Sequence, residues 1–365
     1  MKKICFITTS RADLGTLNTI IEEIVKIKSI KTQLIISGNH FSRTYGKTEQ
    51  EIKKKNLLIE KVKIKTENKN QKDVANSFSE CVKKFSNTLA KLNPDVFVVF
   101  GDRYEMLAAT LSAYIFRIPI AHIAGGEKTA GSIDDGFRHS ITKLSNLHFP
   151  TMTIYKKRLI QLGENPKTIF NYGSLSVLKI IKNKYLSKAD LEKKLRFRFN
   201  KKQIIVTYHP ETVDNKKTLK NLTIVLDSLK KIQQTSVIIT SPNADAMGVL
   251  MADYIKKYIN KHKLKNFFFI KSLGSQVYLS LLRLIDGVVG NSSSGISEVP
   301  YFNIGTVNIG DRQEGRFMAP SVVNCSVSKN KIVKSINKIL NNNFKKKIKV
   351  KNKINKNKDS VVAKK

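Results

Sequence analysis

The chain alternates short β-branched runs with longer stretches whose apolar residues return at three- and four-residue intervals. In the first half "ICFITT" precedes helical spacing over 14–27. Then come "TQLIISG", a Lys/Glu-rich stretch from about 47 that reads as helix, and a helix over 73–92. "PDVFVVFGDRYEMLAATLSAYIFR" is an apolar strand that ends in Gly-Asp-Arg and opens at once into an amphipathic helix, and "PIAHIAGG" and "NLHFP" add two more extended segments. The alternation restarts at "KQIIVTYHPE" and continues through "TSVIITSPN", "NFFFIKSL", "DGVVGNSSSG" and "IGTVNIG", with helices over about 215–232, 246–262, 275–284 and 294–299. Continuous apolar strands separated by helices predict an α/β protein of two doubly wound parallel-sheet domains.

The boundary is expected near 170–185, after "NPKTIFNYGSLSV". This divides the chain into an N-terminal domain over 1–175, a C-terminal domain over 176–343 and a lysine-rich tail over 344–365. No internal repeat is visible beyond the shared alternation. Open parallel sheets bind ligands outside the carboxyl ends of their strands, so two such domains face to face predict a site in the interdomain cleft. The strand ends nominate residues 10–13, 101–103, 122–127, 209–211, 291–295 and 310–312.

Composition changes this picture little. At 365 residues and 41% hydrophobic the chain can bury ample core. Cys5, Cys81 and Cys325 form no CxxC pair and read as buried thiols. The opening "KKICFITT" is too short for a membrane span or a signal peptide, so the expectation is a cytoplasmic protein with no membrane partner. The net charge of +38 would suit a nucleic-acid binder, but the lysines lie along almost every polar face. No helix-turn-helix, zinc finger or RNP-like strand accompanies them. We read the excess as solvated faces, densest in "FKKKIKVKNKINKNKD", with no specific nucleic-acid partner. The positive field would still draw in a small anion such as a nucleotide diphosphate.

Candidate chemistry collects at the strand ends. "GNSSSGISE" joins a strand to a helix, and its glycine, hydroxyls and helix-start amides suit a diphosphate; the alternative is a serine N-cap with Glu298 as its capping-box partner. A plain cap needs one serine and not three. The absence of GxxxxGK[ST] and GxGxxG takes the best support from ATPase and NAD readings. Arg11 directly follows the first strand, where it is either a phosphate clamp or a surface arginine. Asp102 suits a general acid or base, or an N-cap for the next helix, with Arg103 as an ion-pair partner. Glu127, Asp134 and Asp135 are more carboxylates than a turn requires, and one aspartate of the pair is expected to cap "DDGFRHSITKLS". His122 and His139 lack an HExxH-like pairing, so no metal is expected; His209, after a strand, is the better acid or phosphate donor.

Taken in order, "TTSRADLG", "GDRYE", "GGEKT", "DDGFRHSITKLSNLH", "YKKRLIQLGENP", "HPET", "GNSSSGISEVP" and "NIGDRQEGR" resemble the hydrolysing UDP-N-acetylglucosamine 2-epimerases. The likeness is to the bacterial branch that makes N-acetylmannosamine for sialic acid synthesis, and it covers about residues 1–325. The resemblance implies a GT-B-like fold of two Rossmann-like domains, a homodimer, a UDP-sugar substrate and no cofactor or metal. It implies a mechanism in which the proton at sugar C2 is removed as the diphosphate leaves C1, giving a 2-acetamidoglucal. Water then adds at C1 while C2 is reprotonated from the other face. Asp102, Glu127 and Asp134 match the family's carboxylate positions and His209 its cleft histidine. Arg11, Ser293, Ser294 and Gly295 match its nucleotide-phosphate positions, and Glu298 its ribose contact. The broader family carries a glutamate where this chain has Ala124, which assigns that role to Glu127. Relatives in the legionaminic acid pathway act on a UDP-linked 2,4-diacetamido sugar and form the alternative, and a GT-B glycosyltransferase is the other.

Overall fold

Strands that are apolar on both faces must be covered on both faces, and that requirement organises each half of the molecule. The computed structural model describes residues 1–41, 56–65, 71–129, 133–210, 215–242 and 246–348. They form two compact units, Met1–Lys179 and a second that begins at Ile180.

The first unit runs β1 (Lys2–Thr8), α1 (Arg11–Ile24), β2 (Ile30–Ile36), β3 (Leu57–Lys61), α2 (Gln71–Leu92), β4 (Val96–Phe100), α3 (Tyr104–Ile115), β5 (Ile120–Ile123), α4 (Asp134–Leu144), β6 (Leu147–Phe149), α5 (Thr153–Gln161) and α6 (Leu175–Lys182), the last crossing the division. Its six parallel strands lie in the order β3-β2-β1-β4-β5-β6, with Phe6 of β1 level with Leu34 on one side and Val98 on the other. Alternate residues of β1 serve opposite faces. Cys5 and Ile7 pack with Phe85 and Leu89 of α2 and Met106 and Ala109 of α3, whereas Phe6 packs with Leu14, Leu17 and Ile21 of α1.

The second unit runs α7 (Lys188–Leu195), β7 (Lys202–Thr207), α8 (Asn215–Leu229), β8 (Thr235–Thr240), α9 (Ala246–Lys261), β9 (Phe267–Ile270), α10 (Gly274–Leu282), β10 (Gly287–Gly290), α11 (Ser294–Ser297), β11 (Gly305–Ile309), β12 (Val322–Cys325) and α12 (Lys329–Leu340). Its strand order is β12-β11-β10-β7-β8-β9, all parallel. Numbered from its own first strand, this is the order of the first unit again. In both, the chain begins at the centre, builds out to one edge, then returns and builds the other. The direction of building therefore reverses between β1 and β4, and between β7 and β10.

Several elements differ from the sequence reading. Residues 57–61 form β3, an edge strand paired to β2 from Leu57 to Lys61, and not part of a helix; the rest of that expected helix, 47–55, lies outside the described residues. Glu60 and Lys61, one on each face, mask the strand pattern, and no residue of this edge strand is fully buried. The helix expected over 294–299 is one short turn, α11, followed by a 3-10 turn over Val299–Phe302. Strand β12 and helix α12 were not expected; Ile332, Ile336 and Ile339 of α12 lie on its buried stripe, and Gly287 and Gly305 make room for Ile339. Beyond it, Phe344 packs against the same core and Lys345 Nζ pairs with Asp286 at 2.5 Å. Cys5 and Cys81 are buried thiols; burial pushes the Cys81 thiol up to about 12. Among the described residues no helix is long and apolar enough to cross a membrane.

Candidate functional site

The reversal points are where a parallel sheet opens a crevice at the carboxyl ends of its strands. In the first unit β1 ends in Thr8. Ser10 then caps α1 in a capping box with Asp13, whose Oδ2 accepts from the amides of Thr9 at 2.8 Å and Ser10 at 3.1 Å. Arg11 opens α1; its side chain lies outside the described residues.

The partner strand β4 ends in Phe100, and Gly101 turns the chain at φ +85°. The Gly101 carbonyl accepts from His122 Nε2 at 2.9 Å. A carbonyl can only accept, so Nε2 carries the proton and Nδ1 accepts from the Thr142 hydroxyl at 3.2 Å. Burial pushes the His122 imidazole down to about 3, which keeps it neutral and fully used as a brace between β4, β5 and α4.

Asp102 does not cap α3. The N-cap is Arg103, without a side-chain cap bond. The Asp102 carboxylate instead accepts from Arg138 Nη2 of α4. Arg103, expected as the partner of Asp102, turns the other way and donates to the fully buried Glu105 at 3.1 and 2.9 Å. Glu105 raises the Arg103 guanidinium in pKa, and Asp13 and Asp134 add to the effect, so Arg103 sits in the field of carboxylates from β1's end and from α4.

The double glycine after β5 has a steric cause. Ala124 and Gly126 take positive φ of +65° and +78°. A side chain at Gly126 would meet the Tyr155 carbonyl at 2.7 Å, and one at Gly125 the His122 ring at 2.9 Å. This tight path delivers Glu127, whose carboxylate accepts from the Thr151 hydroxyl at 3.0 Å. Neither aspartate of the 134–135 pair is the N-cap of α4, a place taken by Ile133. Both stand in its first turn, where acidic groups oppose the helix dipole favourably. Asp135 reaches back to accept from the Thr129 amide and lies 3.5 Å from His139 Nε2.

Arg138 joins these pieces. Its side chain is 2% exposed. Nη1 donates to the Glu127 carbonyl at 3.1 Å, the Thr129 hydroxyl at 3.1 Å and Asp135 Oδ1 at 3.4 Å, while Nη2 holds Asp102. The structure thus gathers Asp102, Asp135 and the backbone of Glu127 on one guanidinium, with Asp134 one helical turn before it on the same face. The sequence reading passed over Arg138; the signal was an arginine three and four residues after an aspartate pair in an otherwise amphipathic helix.

In the second unit the reversal point is built on an asparagine. The His209 amide donates to Asn291 Oδ1 at 2.7 Å, and Asn291 Nδ2 returns a bond to the His209 carbonyl at 2.9 Å, tying the end of β7 to the end of β10. The Asn291 carbonyl accepts from Arg312 at 3.1 Å and Gln313 at 2.9 Å, which brings in the end of β11. Burial first, and the charge of Arg312 second, push His209 down to about 3. His209 is therefore a neutral imidazole, able to donate one hydrogen bond without carrying charge.

The serine run is more occupied than a plain cap. Ser293 stands at the N-cap of α11 without a side-chain cap bond. The Ser294 hydroxyl donates to Glu298 Oε2 at 2.5 Å and meets the Tyr278 hydroxyl at 2.5 Å. Glu298 is thus joined to the hydroxyl of the first residue of α11. The Gly295 carbonyl accepts from the Thr306 hydroxyl at 2.7 Å, and any side chain there would meet Thr306 at 2.8 Å. Asn291, nominated at a strand end but given no role by the sequence reading, and Tyr278, which that reading passed over, organise this half as Arg138 organises the other.

Known proteins with the same pattern give these two crevices a context. The profile of the family described as UDP-N-acetylglucosamine 2-epimerase matches residues 22–360. The chain is 41% identical over 330 residues to the "GDP/UDP-N,N'-diacetylbacillosamine 2-epimerase (hydrolyzing)" of Campylobacter jejuni, covering 90% of this chain and 85% of that one. It is 35% identical to the "Polysialic acid biosynthesis protein P7" of Escherichia coli, covering 92% and 86%. A "UDP-N,N'-diacetylbacillosamine 2-epimerase (hydrolyzing)" of Legionella pneumophila is 31% identical, covering 93% and 89%. Among solved structures, UDP-GlcNAc 2-epimerase from Neisseria meningitidis bound to UDP-GlcNAc superposes with a TM-score of 0.78 at 19% identity, covering 95% and 94%, a likeness of fold. The two doubly wound units are those of a GT-B-like α/β protein, and the chain belongs to the UDP-N-acetylglucosamine 2-epimerase family.

Proposed function

We propose that the chain is a hydrolysing 2-epimerase of a nucleoside-diphosphate 2-acetamido sugar, with a 2,4-diacetamido-6-deoxy sugar as its preferred substrate. The observation that carries the reaction class is the acidic cluster of the first unit, ordered on a buried arginine at the point where its sheet reverses. The substrate preference is supported by the names of the Campylobacter and Legionella relatives.

Arg11, Ser293, Ser294 and Gly295 take the diphosphate, Glu298 the ribose, and His209 donates a neutral N–H toward the departing oxygens. The C2 hydrogen has no neighbouring carbonyl to acidify it, so its removal is coupled to departure of the nucleoside diphosphate from C1. The C2–H pair becomes the C1–C2 double bond of a 2-acetamidoglucal, and the C1–O pair leaves with the nucleotide. Water then adds at C1 and a proton returns to the opposite face of C2. Asp102, Glu127 and Asp134 serve these transfers, and cationic and N–H groups stabilise the leaving diphosphate. A homodimer acting in the cytoplasm belongs to the same reading.

The second reading takes UDP-N-acetylglucosamine as substrate and N-acetylmannosamine as product, as the resemblance to the sialic acid branch implies, and is supported by the polysialic acid biosynthesis in the name of the E. coli relative. Incubation in deuterated water without any acceptor tests both. UDP-linked 2,4-diacetamido-2,4,6-trideoxyglucose is expected to release UDP and an epimerised sugar carrying deuterium at C2, faster than UDP-N-acetylglucosamine does. Release of an unlabelled, unepimerised sugar overturns the reaction class, and turnover only with an acceptor points to a glycosyltransferase. Faster turnover of UDP-N-acetylglucosamine reverses the substrate preference alone.

A further inference from the structure

The acidic groups of the first unit do not hold themselves in place. We propose that Arg138 is the positioning residue of this site, ordering the reacting carboxylates through one forked guanidinium; the inference rests on the epimerase reading above. Its four bonds reach the β4–α3 junction at Asp102, the loop after β5 at Glu127 and Thr129, and the first turn of α4 at Asp135. Segments up to 36 residues apart thus share one planar group.

Each feature of the arrangement suits this role. The side chain is 2% exposed, so its charge is stable only while its acceptors stay in place, and the pairs hold each other. A guanidinium presents a rigid fork of donors, whereas an ammonium is a point charge that cannot span the same acceptors. Glu127 is held twice, its carbonyl by Arg138 and its carboxylate by Thr151 at 3.0 Å, so the backbone tether sets where the carboxylate starts. Asp134 precedes Arg138 by one helical turn and shares its face of α4. Arg138 reaches no solvent-facing position from which to touch a sugar; it acts through the acids it holds.

The test compares Arg138→Ala and Arg138→Lys in the full chain. For Arg138→Ala, kcat is expected to fall by about a hundredfold or more, the loss that follows a misplacement near 1 Å. UDP affinity, measured by calorimetry, should stay within about twofold, since most of the groups assigned to the nucleotide, Ser293, Ser294, Gly295 and Glu298, lie in the other unit. Millimolar guanidinium should restore a saturable part of the lost rate to Arg138→Ala, and Arg138→Lys, which keeps the charge without the fork, should remain slow. Hydrogen exchange should show lost protection at the Thr129 amide in both variants.

Full activity in Arg138→Ala beside an active wild type overturns the inference and leaves the epimerase reading intact. So does a rate loss that guanidinium does not relieve, or full activity in Arg138→Lys. A wild-type chain inactive on both UDP sugars overturns the epimerase reading and the inference with it. Should Arg138→Ala fail to fold, the rate and Thr129 exchange of Arg138→Lys decide the matter.

Discussion

The two units share a strand order but not a chemistry. At the reversal point of the first, acidic side chains meet guanidinium groups: Asp102 and Asp135 on the buried Arg138, and the buried Glu105 on a half-exposed Arg103. At the reversal point of the second, Asn291 holds the backbone of the neutral His209, Arg312 donates to a backbone carbonyl, and the serine run meets Tyr278 and a single carboxylate, Glu298. Topology fixes where a crevice opens, since two neighbouring strands send their connections to opposite sides of the sheet. It does not say what the crevice does. Proton transfer needs charged groups held in place, and nucleotide binding needs backbone and hydroxyl donors with room for a close approach. In the proposed reading the chain divides most of these demands between two copies of one architecture.

Substitutions can break this division. The largest effect is expected at Asp102→Asn, which keeps the shape and removes the charge: kcat should fall about 10²–10⁴-fold while UDP affinity is retained. A matching loss of UDP binding in a calorimetric titration would show that the two halves do not divide the work. Next is Asn291→Ala. It deletes both bonds to the His209 backbone in a fully buried setting and should cost about 2–3 kcal/mol of stability by denaturant titration, with weaker UDP binding. An unchanged midpoint would remove Asn291 as the organiser of that half.

The buried histidines sharpen the comparison through pH. His122 and His209 both have folded pKa values near 3, below the unfolded value near 6.5. The folded state therefore binds fewer protons. Their contribution is fully present above about pH 6.5 and is lost as pH falls toward 3, at about 1.4 kcal/mol per pH unit for each histidine. His122→Gln should flatten the slope of unfolding free energy over that window by its own share, and an identical slope would contradict a neutral brace. The smallest effect is expected far from both crevices. Lys26→Ala breaks only the exposed pair with Glu23 and should shift stability by no more than about 0.5 kcal/mol, checked by the same titration.

The central strands were legible because they are buried on both sides. "VFVVF" and "GVVG" carry no polar alternation, and a continuous apolar run bounded by Gly-Asp or Gly-Asn has few other homes. The edges were not. Leu57–Lys61 is a strand because β2 stands beside it, and its Glu60 pairs with Lys91 of α2. The short α11 escaped for the opposite reason: "SSSGISE" has good cap residues but is followed at once by Val-Pro, and proline ends the turn. The partners of the acids escaped most completely. Arg103, adjacent to Asp102, was the obvious pair and instead serves Glu105; Arg138, remote in the chain, takes Asp102.

By itself the sequence determined the α/β class, the double winding and the strand ends at which function gathers. Local apolar periodicity and glycine placement act over a few residues and survive without knowledge of neighbours. Only the tertiary structure decided which acid meets which base, which histidines are neutral braces, and that Arg138 and Asn291 organise the two crevices. Those outcomes depend on burial and on contacts between segments tens of residues apart, and a charge or hydrogen bond acquires its value from the partner and the dielectric that folding brings to it.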